Sequence, residues 1–371
     1  MKILIISKDF PDIKGGVSDY TFYLSKTFAR LGIKTYVLTS FDKKINKNVE
    51  KVKVLPLITR WNIKSINKIL EEIDRIKPEW IILQYVPYMY SYSGIPFWLI
   101  FLYFILKIKK YKICTRFHEI RIIIDLSKPK YILISFFQKI IAYFLCLLSD
   151  KIIVSIEFYK RIIKNFEKKI KVIPVGSNVV PENENFGENK KEKDKILIGY
   201  FGGANKSRKI DVHLKAVKIL KEKGVNVKYI FIGEAPLYYK KLAKKLNIDA
   251  QFTGYLEKEK VYEYLKKLDF FIFFDKYSNK YEAGINLKSG VVAAAFSASV
   301  PIISNKGLLT DKILKGYYIN SRPDEREIAE KILRFIKNKK DLKKFKEKIK
   351  IFYEKNLKWE KIVKEYIEYL R

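Results

Sequence analysis

Four short stretches of this chain hold residue types that could do chemistry on an anionic ligand. GGVSDY (15–20) puts Gly15 and Gly16 directly after an apolar run and polar loop, and directly before an amphipathic run. Such a junction lets the backbone come close to a ligand and aims free helix N–H groups, with their partial positive charge, at it. A tight turn that needs a positive φ accounts for the same pair. GYFGGANKSRK (199–209) repeats the arrangement, with Gly202 and Gly203 followed by Lys206, Arg208 and Lys209. Glycine amides and a guanidinium at a helix start suit a diphosphate; a solvated basic turn is the competing reading. NLKSGVVAAAFSASVPII (286–303) places Lys288, Ser289 and Gly290 ahead of a run of small residues. Close packing under a sheet explains that run, with or without a ligand at its start. In TRFHEIR (115–121), His118 and Glu119 follow a short apolar run, at the edge where open α/β sheets place ligands. A lone histidine more often serves structure.

The elements that must position these residues follow from periodicity. KILIIS (2–7) reads as a strand, residues 20, 24, 27, 28 and 31 recur at helical spacing, Gly32 stops that helix, and TYVLTS (35–40) is the next strand. Strand, glycine loop, helix, strand is a βαβ unit and implies a parallel sheet. Further strands are expected at 51–56, 80–84, 112–117 and 151–155, separated by helices at 64–76, 97–110 and 131–149. PENENFGENKKEKDK (181–195) is charged and without apolar period, so it reads as a linker. The alternation then restarts: strands at 196–203, 229–233, 250–255, 270–274 and 301–304, with helices at 210–223, 236–246, 257–267 and 289–299. Two α/β domains suggest two sheets facing one cleft. NLKWEKIVKEYIEYLR (356–371) is an amphipathic helix whose apolar side, Trp359, Ile362, Val363, Tyr366 and Tyr369, needs a surface to cover.

The chain has 371 residues, and 75 basic against 40 acidic groups give +35, a field that favours polyanions, anionic membranes or phosphate-bearing molecules. Abundant Lys, Ile and Glu with scarce His, Met and Cys equally fits a hot-adapted protein. Cys114 and Cys146 sit in apolar surroundings and read as buried thiols of a reducing compartment. Two histidines do not suggest an imidazole-built metal site, and no metal or other cofactor is expected. MKILIISKDF lacks a signal-peptide layout, so a cytoplasmic protein is expected. IPFWLIFLYFIL (95–106) is too short to span a bilayer, and YILISFFQKIIAYFLCLL (131–148) holds Gln138 and Lys139 at its centre. A lysine there costs roughly 2.5–3.5 kcal/mol on insertion scales. Core helices, or a surface ringed by Lys107, Lys109, Lys110 and Lys112 that docks on anionic lipid, are the two readings.

Together the four stretches resemble the retaining glycosyltransferases of family 4 (glycosyl transferases group 1), which have the GT-B fold of two Rossmann-like doubly wound domains facing a central cleft. The resemblance extends over nearly the whole chain through LQYVPYMYSYSGIPFW (83–98), VIPVGSN (172–178), FTGYLEKEKVYEYLKKLDFFIFF (252–274) and LKWEKIVKEYIEYL (357–370). It implies an acceptor domain at 1–177, a linker at 178–195, a nucleotide-sugar donor domain at 196–355, and a terminal helix at 356–371 crossing back to the first domain. His118 matches the family histidine near the reacting sugar. Gly16, with Gly15 and Glu119 on the acceptor side, matches the loop against donor phosphates or acceptor. Gly202, Gly203 and Arg208 match the phosphate loop, Arg208 standing where a lysine is usual. Tyr255 and Leu256 fall near the base, and Lys288, Ser289 and Gly290 on the loop contacting donor sugar and phosphate. The family's two glutamates, eight positions apart, fall on Asn286 and Ala294. Glu282 is either a substitute from four residues upstream or a plain surface carboxylate. The arginine usual before the phosphate-loop lysine has Gly203 near its place.

The implied activity is metal-independent, hexosyltransferase-type transfer with retention, from a nucleotide sugar to an acceptor in surface polysaccharide, glycolipid or lipid-linked glycan synthesis. It would run in the cytoplasm, with peripheral contact to anionic lipid at the inner membrane face as a further expectation. A catalytically silent relative that binds a nucleotide sugar or a partner is the alternative. The basic residues are spread along the chain with no nucleic-acid-reading signature, so no nucleic-acid partner is expected.

Overall fold

Runs of Ile, Val and Leu with no polar alternation form strands buried on both faces, the pattern of a parallel sheet covered by helices on both sides. Lys2–Ile6 (KILII) is β1, and WIILQY is a strand buried at every position. The computed structural model describes the chain except residues 12, 14, 43, 44, 46, 47, 122–128, 180–193 and 279. Most of the expected linker, 180–193, thus lies outside the described residues. Two compact units result, Met1–Pro174 with Trp359–Arg371, and Val175–Lys358.

The first unit is built on β1, β2 (Lys34–Ser40), β3 (Asn48–Val49), β4 (Val52–Ile58), β5 (Trp80–Tyr85), β6 (Ile113–Phe117), β7 (Lys151–Val154) and β8 (Ile170–Val172). They form one sheet in the order β3-β4-β2-β1-β5-β6-β7-β8, parallel throughout except the β3–β4 edge pair. Helices α1 (Gly16–Arg30), α2 (Ile66–Ile76), α3 (Trp98–Ile108), α4 (Pro129–Leu148) and α5 (Glu157–Ile162) connect them. From β1 the chain first builds outward through β2, then returns to β1's other side with β5. β1 and β5 are therefore the switch point, outside whose carboxyl ends such sheets bind ligands. The terminal helix (Trp359–Leu370) belongs to this unit. Its buried side meets α1 through a hydrogen bond between the Tyr20 and Tyr366 hydroxyls (2.9 Å) and through Trp359 stacked on Tyr23 (5.7 Å between ring centres). Cys114 and Cys146 are buried free thiols, and burial pushes both up, Cys146 to about 12.

The second unit holds β9 (Ile196–Phe201), β10 (Val227–Ile232), β11 (Ala250–Phe252), β12 (Phe270–Ile272), β13 (Ile302–Ser304) and β14 (Ile319–Asn320). Its sheet runs β11-β10-β9-β12-β13-β14, all parallel, so the switch point lies between β9 and β12. Helices α6 (Ile210–Glu222), α7 (Leu237–Lys245), α8 (Lys258–Lys267) and α9 (Gly290–Ser297) follow the expected alternation. α10 (Glu325–Lys337) and α11 (Lys339–Asn356) were not announced by it. α11 is too rich in lysine for its short apolar stripe (Ile349, Phe352, Tyr353) to stand out.

Candidate functional site

In the first unit, the start of α1 has neither of the constraints that force glycine. Gly15 has φ 165°, which is extended backbone, and Gly16 is not in the left-handed region. Among the described residues, a Cβ on either would meet nothing within 4 Å. The tight-turn account of this pair therefore fails, and the open space at a helix start is what a closely approaching ligand needs.

His118 is the first residue past β6. Its N–H donates to the Tyr85 carbonyl (3.0 Å), which continues the β5–β6 ladder by one step. Its Nε2 lies 2.7 Å from Oε1 of Gln84, a fully buried side chain of β5. Its ring meets the Tyr20 ring edge-on at 4.8 Å. Tyr20 is held in turn by Tyr366 and by the buried guanidinium of Arg116, 4.9 Å from its ring centre. Arg116 donates to the Ile173 carbonyl (2.8 Å) and to Ser155 Oγ (3.1 Å). Burial pushes the Tyr20 phenol up, with Arg116 opposing, so it stays neutral. Glu119, the next residue, is exposed.

Gln84 and Arg116 were missed in the sequence, though each is the polar residue in an otherwise nearly apolar strand, and a buried polar group needs a partner. Gln84 keeps a second signal: its Nε2 is buried with no hydrogen-bond partner among the described residues. Replacing it, Gln84→Leu, removes the acceptor facing the imidazole at similar volume. The expected result is turnover lowered about tenfold, for a barrier increase of about 1.4 kcal/mol, with KM for the donor little changed. Steady-state kinetics beside an unchanged circular dichroism spectrum checks this.

In the second unit the loop after β9 requires its glycine. Gly202 has φ +116°, and a Cβ there would come within 3.2 Å of Val291 in the first turn of α9. The phosphate-loop candidate and the donor-sugar helix are thus packed against each other. Gly203 is exposed, and its carbonyl accepts from the Tyr200 hydroxyl (2.9 Å). Asn205 then caps a 3₁₀ turn over Lys206–Arg208, and Lys209, in the left-handed region at φ 52°, turns the chain into α6.

Two of the three cations of this turn, Arg208 and Lys209, are paired. Arg208 Nη1 pairs with Asp275 Oδ2 at 3.1 Å, Lys209 Nζ with Glu282 Oε1 at 2.9 Å, and Ser207 Oγ bonds Asp275 Oδ1 at 2.8 Å. The Arg208 guanidinium also lies over the Phe273 ring, 4.8 Å from its centre. Asp275 and Glu282 belong to the loop leaving β12, the other half of the switch point. Each of these two carboxylates offsets the cation it pairs with, so an anion binding Arg208 or Lys209 would have to replace Asp275 or Glu282 as its partner. Glu282 is a half-buried, paired side chain rather than a plain surface carboxylate. Lys209 and Asp275 are members of the group that sequence spacing did not single out as site residues.

The remaining candidates divide. Ser289 is the N-cap of α9, its Oγ accepting from the Val292 N–H (3.4 Å), and Gly290 opens the helix beside Lys288. Asn286, where the resemblance puts an acidic residue, is buried: its Nδ2 donates to the Gly284 carbonyl (2.9 Å) while Oδ1 has no partner among the described residues. Ala294 is fully buried in α9. Tyr255, exposed, and Leu256, half-buried, follow the edge strand β11, tied to the end of β10 by a bridge between Gly233 and Gly254. The structure brings Gly202, Arg208, Lys209, Asp275 and Glu282 together with the start of α9. It sets two cations, each held by a carboxylate, beside a helix start at the β9/β12 switch point.

Comparison with known proteins accords with this geometry. Residues 181–352 match the family described as Glycosyl transferases group 1. An uncharacterized glycosyltransferase of Methanocaldococcus jannaschii is 29% identical over 218 residues, which cover 55% of this chain and 54% of that protein. The match thus spans about half the length of this relative. Among solved structures, a glycosyltransferase from Rickettsia africae superposes with TM-score 0.70 at 16% identity, covering 100% of this chain and 97% of that one. WaaG, a glycosyltransferase involved in lipopolysaccharide biosynthesis, gives 0.59 at 12% identity over 100% and 99%. The UDP-GlcNAc 2-epimerase of Neisseria meningitidis, bound to UDP-GlcNAc, gives the same score and identity over 100% and 99%. Two parallel sheets with alternating helices and the superpositions over the whole chain give the fold, and the family match covers the second of the two units: the chain has the GT-B fold, and its residues 181–352 are similar to the glycosyl transferases group 1.

Proposed function

We propose that the chain is a retaining, metal-independent glycosyltransferase that moves a sugar from a nucleotide-sugar donor to an acceptor in surface polysaccharide, glycolipid or lipid-linked glycan synthesis, working in the cytoplasm. The observation that carries this reading is the Arg208–Lys209 group at the β9/β12 switch point, inside the family-matched region. Neighbours of the same fold support it: one is bound to UDP-GlcNAc and one acts in lipopolysaccharide synthesis. When the sugar–phosphate bond breaks, negative charge develops on the leaving diphosphate. Arg208, Lys209 and the N-terminus of α9 stabilise it, releasing Asp275 and Glu282. Lys288 and Ser289 hold the donor sugar and phosphate side. In the first unit His118, oriented by Gln84 and Tyr20, positions the reacting groups, and the open helix start at Gly15–Gly16 receives phosphate or acceptor.

A silent relative remains the second reading, because neither Asn286 nor Ala294 supplies a carboxylate. A thermal-shift screen against a panel of nucleotide sugars, followed by assays for nucleoside diphosphate release and product anomer, separates the two. The expected result is a raised Tm with one donor, since ligand at a hundred times its Kd adds about 2.7 kcal/mol, and release of diphosphate with a retained anomer. A shift without turnover supports the silent relative; no shift with any nucleotide sugar overturns both.

A further inference from the structure

Helices α3 and α4 each cover the sheet with one side and show an apolar stripe on the other. On α3, Leu99, Leu102, Tyr103 and Leu106 are buried, while Phe101, Phe104 and Ile108 are 56–66% exposed at helical spacing. On α4, Ile134, Gln138, Ile141 and Leu145 are buried, while Leu133, Phe136 and Leu147 are 47–57% exposed. The connections β5–α3–β6 and β6–α4–β7 step in the same direction across the sheet. Right-handed crossovers therefore put both helices on the same face, and the Phe97 and Phe137 rings join them at 5.6 Å. Six such side chains, each about half uncovered, show on the order of 500–600 Å² of apolar surface, as much as a typical monomer leaves in its largest patch.

The charge on the two helices themselves has one sign, although Lys107 and Lys109, two of the four lysines expected to ring this surface, pair with Asp150 and Asp74. Neither helix contains an Asp or Glu. Lys110, Lys130 and Lys139 are exposed, with no acidic partner among the described residues. Lys169, beyond the end of α4, donates to the Leu147 and Ser149 carbonyls and adds a further positive charge there. α4 is long and apolar enough to cross a membrane by composition, yet one side of it is buried. Gln138 points inward and donates to the Gly94 carbonyl (3.0 Å), so α4 is part of the fold and can lie along a bilayer only with its outer side. Apolar and aromatic side chains flanked by snorkelling lysines are the pattern of a helix lying in the headgroup plane.

We propose that the outer face of α3 and α4 is a monotopic docking surface for an anionic lipid bilayer. Its lysines meet the headgroups and Phe101, Phe104, Leu133 and Phe136 enter the acyl boundary. A second copy of this chain is the competing occupant, but two faces of the same positive charge would repel.

Co-sedimentation of the full chain with vesicles of phosphatidylglycerol and phosphatidylcholine, and of phosphatidylcholine alone, tests this. Wild-type protein is expected to bind the anionic vesicles at least tenfold more tightly than the neutral ones, and less tightly at high salt. The F101S/F136S and K110E/K130E variants, all at exposed positions, are expected to lose at least tenfold of that binding. Their nucleotide-sugar hydrolysis or thermal shift should stay at the wild-type level, which separates this result from any failure of the sugar-transfer reading. The wild-type comparison stands even where a variant does not fold. Equal or absent binding to the two vesicle types, binding undiminished in folded variants, or a solution dimer that F101S/F136S dissociates, each overturns the proposal.

Discussion

Arg208→Ala is expected to slow the proposed sugar transfer at least about a hundredfold while the second unit stays folded. The guanidinium sits at the carboxyl ends of β9 and β12, held by Asp275 and by the Phe273 ring, so it is in place before any ligand arrives. Removing one preorganised donor of this kind from developing negative charge typically costs roughly 2.7–4 kcal/mol of barrier. The Arg208–Asp275 pair itself is only partly buried, and such pairs contribute about 1 kcal/mol or less to stability. Activity and stability should therefore separate: a large fall in kcat/KM, and a small shift in Tm. Lys288→Ala, at the start of α9, is expected to act in the same direction and to a similar extent. Arg208→Lys should recover part of the loss, because it restores charge without the planar fork. Near-normal turnover in both alanine variants would dismiss the diphosphate clamp.

Acid sensitivity of the second unit is the other large effect. His213 lies in α6, fully buried among Tyr200, Tyr229 and Phe274, with Nδ1 3.1 Å from the Tyr229 hydroxyl and Nε2 without a partner among the described residues. Burial drives its imidazole down to about 3, opposed slightly by a backbone hydrogen bond at Arg208. The sign follows from the unfolded value near 6.5: below that pH the unfolded chain takes up a proton that the folded chain refuses. The neutral histidine's stability is thus fully present above about pH 6.5 and declines as pH falls toward 3. By pH 4.5 the loss is about 2–3 kcal/mol. Urea unfolding at pH 7.5 and 4.5, for wild type and His213→Phe, isolates this share, because every other titrating group is common to both. The variant is expected to show the shallower pH dependence. Equal slopes in the two proteins would show that His213 does not set the acid limit.

Much of the architecture was legible because it rests on periods shorter than about ten residues. The alternation of apolar runs and amphipathic stretches marks the strands from KILII onward and the helices between them. The glycines that open α1 and the loop after β9 mark where helices begin. The apolar side of the terminal helix announced that it would cover something. The short edge strands β3, β8 and β14 and the helices α10 and α11 did not stand out, since their residues are few or their stripes are diluted by lysine. Gly15–Gly16 shows the limit from the other direction. A glycine pair in sequence is compatible with a strained turn, and only backbone angles and empty space distinguish that from a place left open for a ligand.

What the amino-acid sequence by itself determined was the class of fold and which residues stand at helix starts, since both depend on neighbours a few positions away. The tertiary structure alone decided the strand order, and with it the two switch points. It also paired Arg208 with Asp275 and Lys209 with Glu282, set Gln84 against His118, and laid the terminal helix on α1. Each of these joins residues dozens to hundreds of positions apart, brought together by burying apolar faces. That burial depends on every element at once, so no local pattern records which distant side chains end up in contact.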